Sequence, residues 1–308
     1  MNQNKSQIIS FKRSDIPKIR ELYKLSSQKT KPLKIFDYKL SKTPDGAPIG
    51  YLMKYEKTII GFYVIIPITI RIKNKKILGG LSFFTMTHPE YQRKGVFSKL
   101  ARKTFSTAKK RGYKFVVGFS TNKNSVNGFK KLGFSIKPIY FRKIFLKKNK
   151  PKKIYHISKN NTPQEIEKLW ENFEGKKQFK IQRIKNKKYF DWRYTKNPIK
   201  YFIYFEREQY CIILKKYNEI LNVVDFFGNA SNLEEIIADI TIKKARELNC
   251  KKITIWWPKI KNHKAKKYFS KEIQSPNYFA IKKLDSNLTS DILELKNWYF
   301  TMSDSDIF

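Results

Sequence analysis

The chain is short of acidic residues. It contains 25 Asp and Glu against 66 Lys and Arg in 308 residues, which gives a formal net charge of +41 at pH 7. This imbalance favours an anionic partner, such as nucleic acid, anionic lipid or a phosphorylated substrate. Only 11 of the 66 cations are Arg, however, and they are spread along the whole chain. Sites that bind phosphate usually prefer Arg to Lys. The alternative explanation of the high positive charge is therefore a genome biased toward lysine.

Cysteine and histidine are also scarce, which argues against a metal site. The two cysteines, Cys211 and Cys250, form no CxxC pair, and the three histidines, His88, His156 and His263, are far apart. No spacing typical of zinc ligands is present. The sequence therefore predicts no metal and a reducing compartment.

Long apolar runs are missing too. The longest, residues 58–70, has 13 residues interrupted by Gly61 and Pro67, which is too short to span a bilayer. The N-terminus lacks the apolar centre of a signal peptide. We therefore expect a cytoplasmic protein without a transmembrane segment. With 41% hydrophobic residues, the chain is long enough to bury the cores of two domains.

The hydrophobic pattern of the first half is typical of an α+β domain. Periodicities of two and 3.6 residues alternate, with Gly, Asn and Lys turns between them. In chain order they predict a strand at 8–11, a helix capped by Ser14 and Asp15, a hairpin over 58–87, a helix over 96–112, a strand from 114, a helix over 125–134 and a strand from 136.

This order of elements repeats after a charged, Pro-containing linker at 148–153. Residues 154–170 again show a strand, a polar turn, a proline and a helix, and strands, a helix and a strand follow. The repeat predicts two tandem domains, 1–147 and 154–308, each an α/β sandwich with a mixed, mostly antiparallel sheet flanked by helices. The alternative is that any two α+β sequences can be superimposed loosely.

A short basic joint connects a predicted strand to the helix at 96–112. It reads Gln92-Arg93-Lys94-Gly95, so side-chain donors and a flexible residue precede the unpaired N–H groups of a helix start. Such a joint attracts phosphate. The motifs of an ATP P-loop and of a dinucleotide fold are absent. The matching joint of the second half, GNASN, has no cation, which predicts a phosphate site in the first half alone.

The joint resembles the acetyl-CoA loop of the GCN5-related N-acetyltransferases (GNAT). The family pattern is Gln/Arg-x-x-Gly-x-Gly/Ala, and residues 92–97 match it except that Phe97 stands where a small residue is usual. A second landmark follows, with Asn122 and Ser125 ahead of Phe129 and a Leu-Gly-Phe at 132–134. The resemblance covers 8–146 well and 154–308 only as a degenerate second copy.

The resemblance implies acetyl-CoA as the acyl donor and a set of residues that hold it. The strand before the loop would pair its backbone with the pantetheine arm, the loop would hold the pyrophosphate, and Asn122 would touch the thiol end. The residues implied for the strand are Thr85, Met86 and Thr87, and those for the loop are Gln92, Arg93, Lys94, Gly95, Val96, Phe97 and Ser98. Many family members protonate the leaving thiolate with a tyrosine, but the corresponding residue here is Phe129.

Candidates for the acceptor side lie in the second half. We expect Asp304 and Asp306, which follow an apolar strand, to bind the amine at a cleft between the halves and to help remove its proton. The alternative is a solvated tail. Aromatic and basic residues at 188–198 and near the end could line a sugar or a base, and the alternative is ordinary strand packing. These residues are Trp192, Arg193, Tyr194, Trp298 and Tyr299.

The resemblance and the charge together predict an acyl-CoA-dependent N-acyltransferase. The leading acceptor is a small amine, possibly phosphorylated, such as an amino sugar or nucleotide-linked amino sugar of surface polysaccharide synthesis. One alternative acceptor is an amine on a protein or an RNA, docked by the basic surface. Another alternative is a non-catalytic nucleic-acid-binding protein on a transferase scaffold.

Overall fold

The computed structural model describes residues 6–41, 43–120, 123–146, 162–174, 179–256 and 268–305. The chain divides into two compact units. The first unit comprises Met1–Lys137 and Asn277–Leu295, and the second comprises Pro138–Pro276 and Lys296–Phe308.

The sheet of the first unit is mixed and mostly antiparallel. Its strand order is β1-β2-β3-β4-β5-β12, and β4 and β5 are its parallel neighbours. The strands are β1 (Ser6–Ser10), β2 (Ile49–Tyr55), β3 (Thr58–Ile72), β4 (Lys75–Thr87), β5 (Phe115–Ser120) and, through its residues 277–283, β12 (Ile273–Lys283). A helix connects β4 to β5, as a parallel crossover requires.

Helices accompany this sheet in the first unit. They are α1 (Ile16–Ser27), α2 (Leu33–Leu40), α3 (Val96–Lys110) and α4 (Lys123–Lys131). The apolar side of α1 is buried at Ile16, Ile19 and Leu22. Asp15 was predicted to cap this helix with its side chain. Its carboxylate instead accepts from the Lys12 N–H (2.9 Å) and closes the short turn ahead of α1.

The second unit has the same kind of mixed sheet. Its strand order is β6-β11-β10-β9-β8, with β10 and β11 parallel, and a separate parallel pair joins β7 to β13. The strands are β6 (Ser135–Ile144), β7 (Ile181–Arg183), β8 (Phe202–Glu206), β9 (Tyr210–Tyr217), β10 (Ile220–Gly228), β11 (Lys252–Trp256) and β13 (Trp298–Tyr299), and the helices are α5 (Pro163–Glu174), α6 (Lys187–Phe190) and α7 (Leu233–Glu247).

The compact units differ from the predicted domains, 1–147 and 154–308, by an exchange of strands. Residues 278–283 of β12 pair with β5 in the first unit, and residues 141–144 of β6 pair with β11 in the second. A local hydrophobic pattern identifies a strand but not its partner, so the sequence alone could not place these two. The predicted linker at 148–153 lies outside the described residues, and the duplication stays a prediction.

The predicted fold class, mostly antiparallel mixed sheets with flanking helices, is confirmed. Residues 188–198 differ from the expected alternative of strand packing, since α6 and a helical turn at Asp191–Thr195 cover most of them. Strands β2 and β12 and helix α2 were not predicted. Among the helices of the described ranges, none is both long and apolar enough to cross a membrane.

Candidate active site

The predicted phosphate loop is exposed and ends in a left-handed glycine. A short turn at Pro89–Tyr91 follows β4, and Gln92 to Gly95 then lead directly into α3. Arg93 has φ 61° and Gly95 has φ 79°, a region that favours glycine. A Cβ atom added at Gly95 would meet no heavy atom within 4 Å. The space beside this backbone is therefore available to a ligand.

The first N–H groups of α3 follow this exposed loop directly in the chain. The first intrahelical bond runs from the Lys99 N–H to the Gly95 carbonyl (3.0 Å), so the N–H groups of Val96, Phe97 and Ser98 precede it. These donors have no acceptor within the helix, and the helix dipole adds positive potential at the same end. Left-handed residues in the loop help to form an anion-binding concavity. The arrangement fits a pyrophosphate.

The two strands beside the loop separate as they approach it. The strands β4 and β5 are parallel neighbours, with Gly80 opposite Val116 and Leu81 opposite Val117. Within the described parts of both strands, no ladder pair follows these two. A bulge in β4 places Phe84 at φ 38°, and the register against β3 shifts there. The strand segment predicted to bind pantetheine, Thr85 to Thr87, lies just beyond the bulge.

The loop lies in a segment of the sequence without acidic residues. Between Tyr91 and Gln164 there are 21 Lys and Arg and no Asp or Glu, whereas an even spread of the 25 acids would place about six there. A lysine-rich genome adds cations but does not remove acids from one segment. This signal was readable in the sequence, and it points to an anionic ligand near the loop and α3.

Phe97 stands where the family pattern has a small residue. Its large ring fits in the packed interior because the residue that it faces, Gly128, has no side chain. Its ring packs against Tyr63 (5.5 Å between centroids) and Phe129 (6.0 Å). A Cβ atom at Gly128 on α4 would lie 2.9 Å from Phe97 Cε1. The small residue that the family usually has on the loop is therefore replaced here by a small residue on the facing helix.

We expect Phe97 and Gly128 to be energetically coupled. Gly128→Ala improves helix propensity by about 1 kcal/mol but forces the new methyl group against the ring of Phe97. Phe97→Ala removes that contact, so the double variant should be more stable than the sum of the single changes predicts, by about 1–3 kcal/mol. Urea unfolding of the four proteins in the cycle measures this coupling, and additive changes would contradict the packing described.

Phe129 cannot act as an acid, but two hydroxyls lie beside it. Its ring is buried, and a Cβ atom at Gly118 would lie 2.9 Å from Phe129 Cζ and 3.3 Å from Ser82 Cβ. Ser82 Oγ donates to the Tyr63 hydroxyl (2.9 Å). Burial raises the pKa of Tyr63, so this phenol stays protonated at neutral pH and is a weaker acid than an exposed tyrosine.

Asn122, which the resemblance places at the thiol end of the cofactor, lies outside the described residues. Among the described residues, no group of three His, Cys, Asp or Glu could hold a metal ion. The polar groups that the described residues bring to the loop region are backbone donors, cations and hydroxyls.

A buried polar cluster in the second unit is centred on Asp225. This carboxylate is fully buried and accepts from Lys185 Nζ (2.8 and 3.0 Å), the Tyr194 hydroxyl (2.8 Å), Thr301 Oγ1 (2.8 Å) and Ser303 Oγ (3.0 Å). Burial disfavours the charged form of Lys185, but the carboxylates of Asp225 and Asp304 outweigh it and raise the pKa of this ammonium. Lys185 therefore stays protonated and cannot serve as a base. The cluster anchors the last part of the chain.

The residues predicted to line an acceptor belong largely to this buried region. Arg193 Nε donates to the Ser303 carbonyl (3.1 Å), Tyr194 donates to Asp225, and the Tyr299 hydroxyl donates to the Phe226 carbonyl. Four of the five predicted residues are buried and one is half-buried. The buried ones are Arg193, Tyr194, Trp298 and Tyr299, and the half-buried one is Trp192. The polar groups of Arg193, Tyr194 and Tyr299 are thus hydrogen-bonded inside the second unit.

Of the two predicted carboxylates, the structure describes one. Asp304 Oδ2 accepts from the Thr301 N–H (2.9 Å) and lies 3.8 Å from Lys185 Nζ, and its side chain is 9% exposed. Asp304 Oδ1 is buried and has no hydrogen-bond partner among the described residues. Asp306 lies outside the described residues. Their catalytic role stays a prediction.

The geometry of the first unit agrees with comparisons to known proteins. The sequence model of the acetyltransferase (GNAT) domain matches residues 7–136. Residues 7–136 therefore belong to the GCN5-related N-acetyltransferase family, which confirms the family resemblance. The chain is an acyl-CoA-dependent N-acyltransferase, and acetyl-CoA is confirmed as the donor at the level of the family.

Solved structures show the same fold at low identity. A GCN5-related N-acetyltransferase from Kribbella flavida is 9% identical with a TM-score of 0.68, over 93% of this chain and 73% of that one. One from Anabaena variabilis is 12% identical with a TM-score of 0.64, over 91% and 73%. The Saccharomyces cerevisiae N-myristoyltransferase with bound myristoyl-CoA is 10% identical with a TM-score of 0.60, over 95% and 83%. No curated protein matches the chain at a significant level.

Proposed function

We propose that the chain transfers an acetyl group from acetyl-CoA to a small amine, with an amino sugar or nucleotide-linked amino sugar as the leading acceptor. The observation that carries the donor side is the exposed, acid-free start of α3, where Gly95 leaves its backbone accessible. A phosphorylated acceptor is consistent with the same basic surroundings. Acetyl-CoA, when bound, supplies the activated thioester.

The chain's own residues have separable roles in this proposal. The amides that begin α3 and the cations Arg93 and Lys94 bind the pyrophosphate. The edge of β4 from Thr85 to Thr87 aligns the pantetheine arm by backbone hydrogen bonds, because β5 does not pair with it there. The hydroxyls of Ser82 and Tyr63 hold a proton beside position 129, where many family members have a tyrosine.

An acceptor panel tests the proposed substrate class. The protein is incubated with acetyl-CoA and, separately, with amino sugars, nucleotide-linked amino sugars, lysine peptides and aminoacylated RNA, and products are identified by mass spectrometry. We expect the acetylated amino sugars to form at least tenfold faster than the other products. If lysine peptides or RNA are acetylated faster, the acceptor is a macromolecule-bound amine. If no panel member is acetylated and random RNA binds with a steep salt dependence, the protein is a nucleic-acid binder instead.

Asp304 and Asp306 remain our proposal for the groups that meet the acceptor's amine. The supporting observation is Asp304 Oδ1, a buried carboxylate oxygen without a partner among the described residues. Asp→Asn at either position preserves shape and removes charge, so turnover should fall at least tenfold while acetyl-CoA affinity is unchanged. Because Asp304 also accepts from Thr301, urea unfolding is measured in parallel. Wild-type turnover in both variants would place the base elsewhere.

A further inference from the structure

The exposed side of α3 carries cations and no acids. The helix contains five Lys and Arg and no Asp or Glu, and all five cations are exposed. At about 100° per residue, they lie within about a third of the helix circumference. We call this set the cationic face of α3, and its members are Lys99, Arg102, Lys103, Lys109 and Lys110.

Helix α7 of the second unit shows that such a face is not a general property of this chain. Both helices have 15 residues, and each connects two strands that are parallel neighbours. Helix α7 contains four acids and three cations, and its Lys244 pairs with Glu247 at 2.8 Å. A lysine-biased genome acts on both helices alike. The all-cationic face is therefore specific to α3.

The protein does not neutralise the cationic face. Among the described residues, no carboxylate lies within ion-pair distance of its five cations, and Asp285, which interacts electrostatically with Lys109, pairs with Lys114 instead (2.8 Å). Like charges three or four residues apart on a helix repel each other. Lys110 lies about 22 Å along the helix from Gly95, beyond the reach of a pyrophosphate at the loop. The face thus suits a second and longer anion.

A row of tyrosine rings borders the cationic face. The hydroxyl of Tyr51, on β2, shares a hydrogen bond with Thr107 Oγ1 of α3 (2.8 Å), and Lys103 Nζ lies 5.8 Å from the centroid of the Tyr51 ring. Tyr55, two residues further along β2, lies 5.7 Å from Tyr91 between ring centroids. The three tyrosines are half-buried against the core that α3 also covers. Part of each ring therefore remains accessible beside the cations.

An anionic membrane is the other large partner that a cationic helix suits. Helices that lie on a bilayer usually bury Trp, Phe or Leu side chains in it beside their cations. Among the described residues, the exposed large apolar side chains lie outside α3. Aromatic rings beside a cationic groove instead suit bases that stack while the phosphate backbone meets the cations. These observations favour nucleic acid over a membrane.

We propose that the cationic face of α3 and the ring of Tyr51 bind single-stranded nucleic acid without sequence preference. The cations meet successive phosphates, and the tyrosine offers a surface on which a base stacks. From Lys99 to Lys110 the face spans about 16 Å, which is long enough for several phosphates of one strand. The inference goes beyond the proposed function, since this binding needs neither acetyl-CoA nor the amine acceptor.

The test measures the fluorescence anisotropy of a labelled, random-sequence, single-stranded RNA of about 20 nucleotides, a length that exceeds the usual site of one domain. The whole protein is used without acetyl-CoA, over a range of salt concentrations. A triple variant, Arg102→Gln, Lys103→Gln and Lys110→Gln, should bind at least tenfold more weakly. Its slope of log affinity against log salt should be shallower by about 2, because each phosphate contact contributes about 0.7.

A control variant removes the same charge from other exposed helix positions of the first unit. It combines Lys18→Gln and Lys24→Gln on α1 with Lys34→Gln on α2, and it should keep the wild-type affinity and salt slope. Equal weakening in both triple variants would show that net charge alone binds RNA and would overturn the inference. Tighter binding to phosphatidylglycerol vesicles than to RNA, lost in the α3 variant, would overturn it in favour of a membrane.

Tyr51 tests the stacking part of the inference. Tyr51→Leu should weaken RNA binding about fivefold because it removes the ring, whereas Tyr51→Phe should retain the wild-type affinity. Urea unfolding is measured for both, and affinities are compared at the same concentration of folded protein. Equal RNA affinity of the two variants would overturn the choice of nucleic acid as the partner.

Acetyl transfer separates this inference from the proposed function. The α3 triple variant should acetylate amino sugars at the wild-type rate, because its three changes lie outside the donor loop. RNA binding that is unaffected by these changes would overturn the inference whether or not acetyl transfer occurs. RNA binding that depends on them, in a protein that acetylates no amine, would overturn only the proposed function.

Discussion

Gly95→Glu should weaken acetyl-CoA binding at least tenfold, which corresponds to about 1.4 kcal/mol. The new carboxylate enters the space beside the loop and repels the pyrophosphate there. The same carboxylate lies at the start of α3, where the helix dipole favours negative charge. The variant should therefore remain folded while it loses affinity, and calorimetry with acetyl-CoA measures the loss.

Gly112→Glu is a matched control for this variant. Gly112 follows the other end of α3, has φ 83° where Gly95 has φ 79°, and also has no heavy atom within 4 Å of an added Cβ. Both changes thus add the same charge at the same backbone strain. Gly112→Glu should bind acetyl-CoA like the wild type, and Gly95→Ala, which adds strain without charge, should lose less affinity than Gly95→Glu. Unchanged binding in Gly95→Glu would move the donor site elsewhere.

Asp225→Asn should destabilise the second unit by about 3–5 kcal/mol. The change leaves the buried Lys185 ammonium without its nearest counter-charge, at 2.8 Å. The amide also introduces donors that face the hydroxyls of Tyr194 and Ser303, which donate to this carboxylate in the native protein. Urea unfolding followed by far-ultraviolet circular dichroism measures the loss.

A surface ion pair of the same unit provides the comparison. Lys187 Nζ lies 2.8 Å from Asp191 Oδ2, and the side chains are 42% and 16% exposed, whereas those of Lys185 and Asp225 are 1% and 0% exposed. Asp191→Asn should therefore cost less than about 1 kcal/mol. Ser303→Ala, which removes one donor to Asp225, should fall between the two at about 1–3 kcal/mol. Equal effects of Asp225→Asn and Asp191→Asn would contradict a structural role for the buried cluster.

The same ion pair predicts how stability depends on pH. The pKa of Lys185 is raised by the nearby carboxylates, despite its burial, above the value of about 10.4 that an unfolded lysine has. Its contribution is therefore fully present below about pH 10 and is lost as the pH rises through the folded pKa. Between pH 7 and pH 9 the stability that this ion pair contributes to the wild-type protein should therefore stay constant, which urea unfolding across that range measures.

The structure around the predicted phosphate loop could be predicted from nearby residues alone. The strand before it, the helix after it and the exposed glycine between them follow from hydrophobic periodicity and residue type over residues 75–112. Backbone bonds within a helix and the conformational freedom of glycine depend on near neighbours in the chain. The family resemblance rests on the same local residues, and for that reason it was recognisable.

The partners of distant residues were not recognisable in this way. Nothing local distinguishes β6 and β12 from strands that pair within their own half, and nothing near Asp225 indicates that its partners come from Lys185 and Ser303. The contact of Lys31 Nζ with the Phe84 ring likewise joins a loop after α1 to a bulge more than fifty residues later.

The sequence by itself indicated most of the elements, the basic loop ahead of α3 and the class of enzyme, because each is encoded in a contiguous stretch. The tertiary structure alone decided which strands complete which sheet, which polar side chains are buried together and which aromatic rings pack at the bulge of β4. Strand partners and buried polar contacts are decided by the need to pair buried backbone and polar groups with residues distant in the chain. Such pairing exists only in the packed molecule.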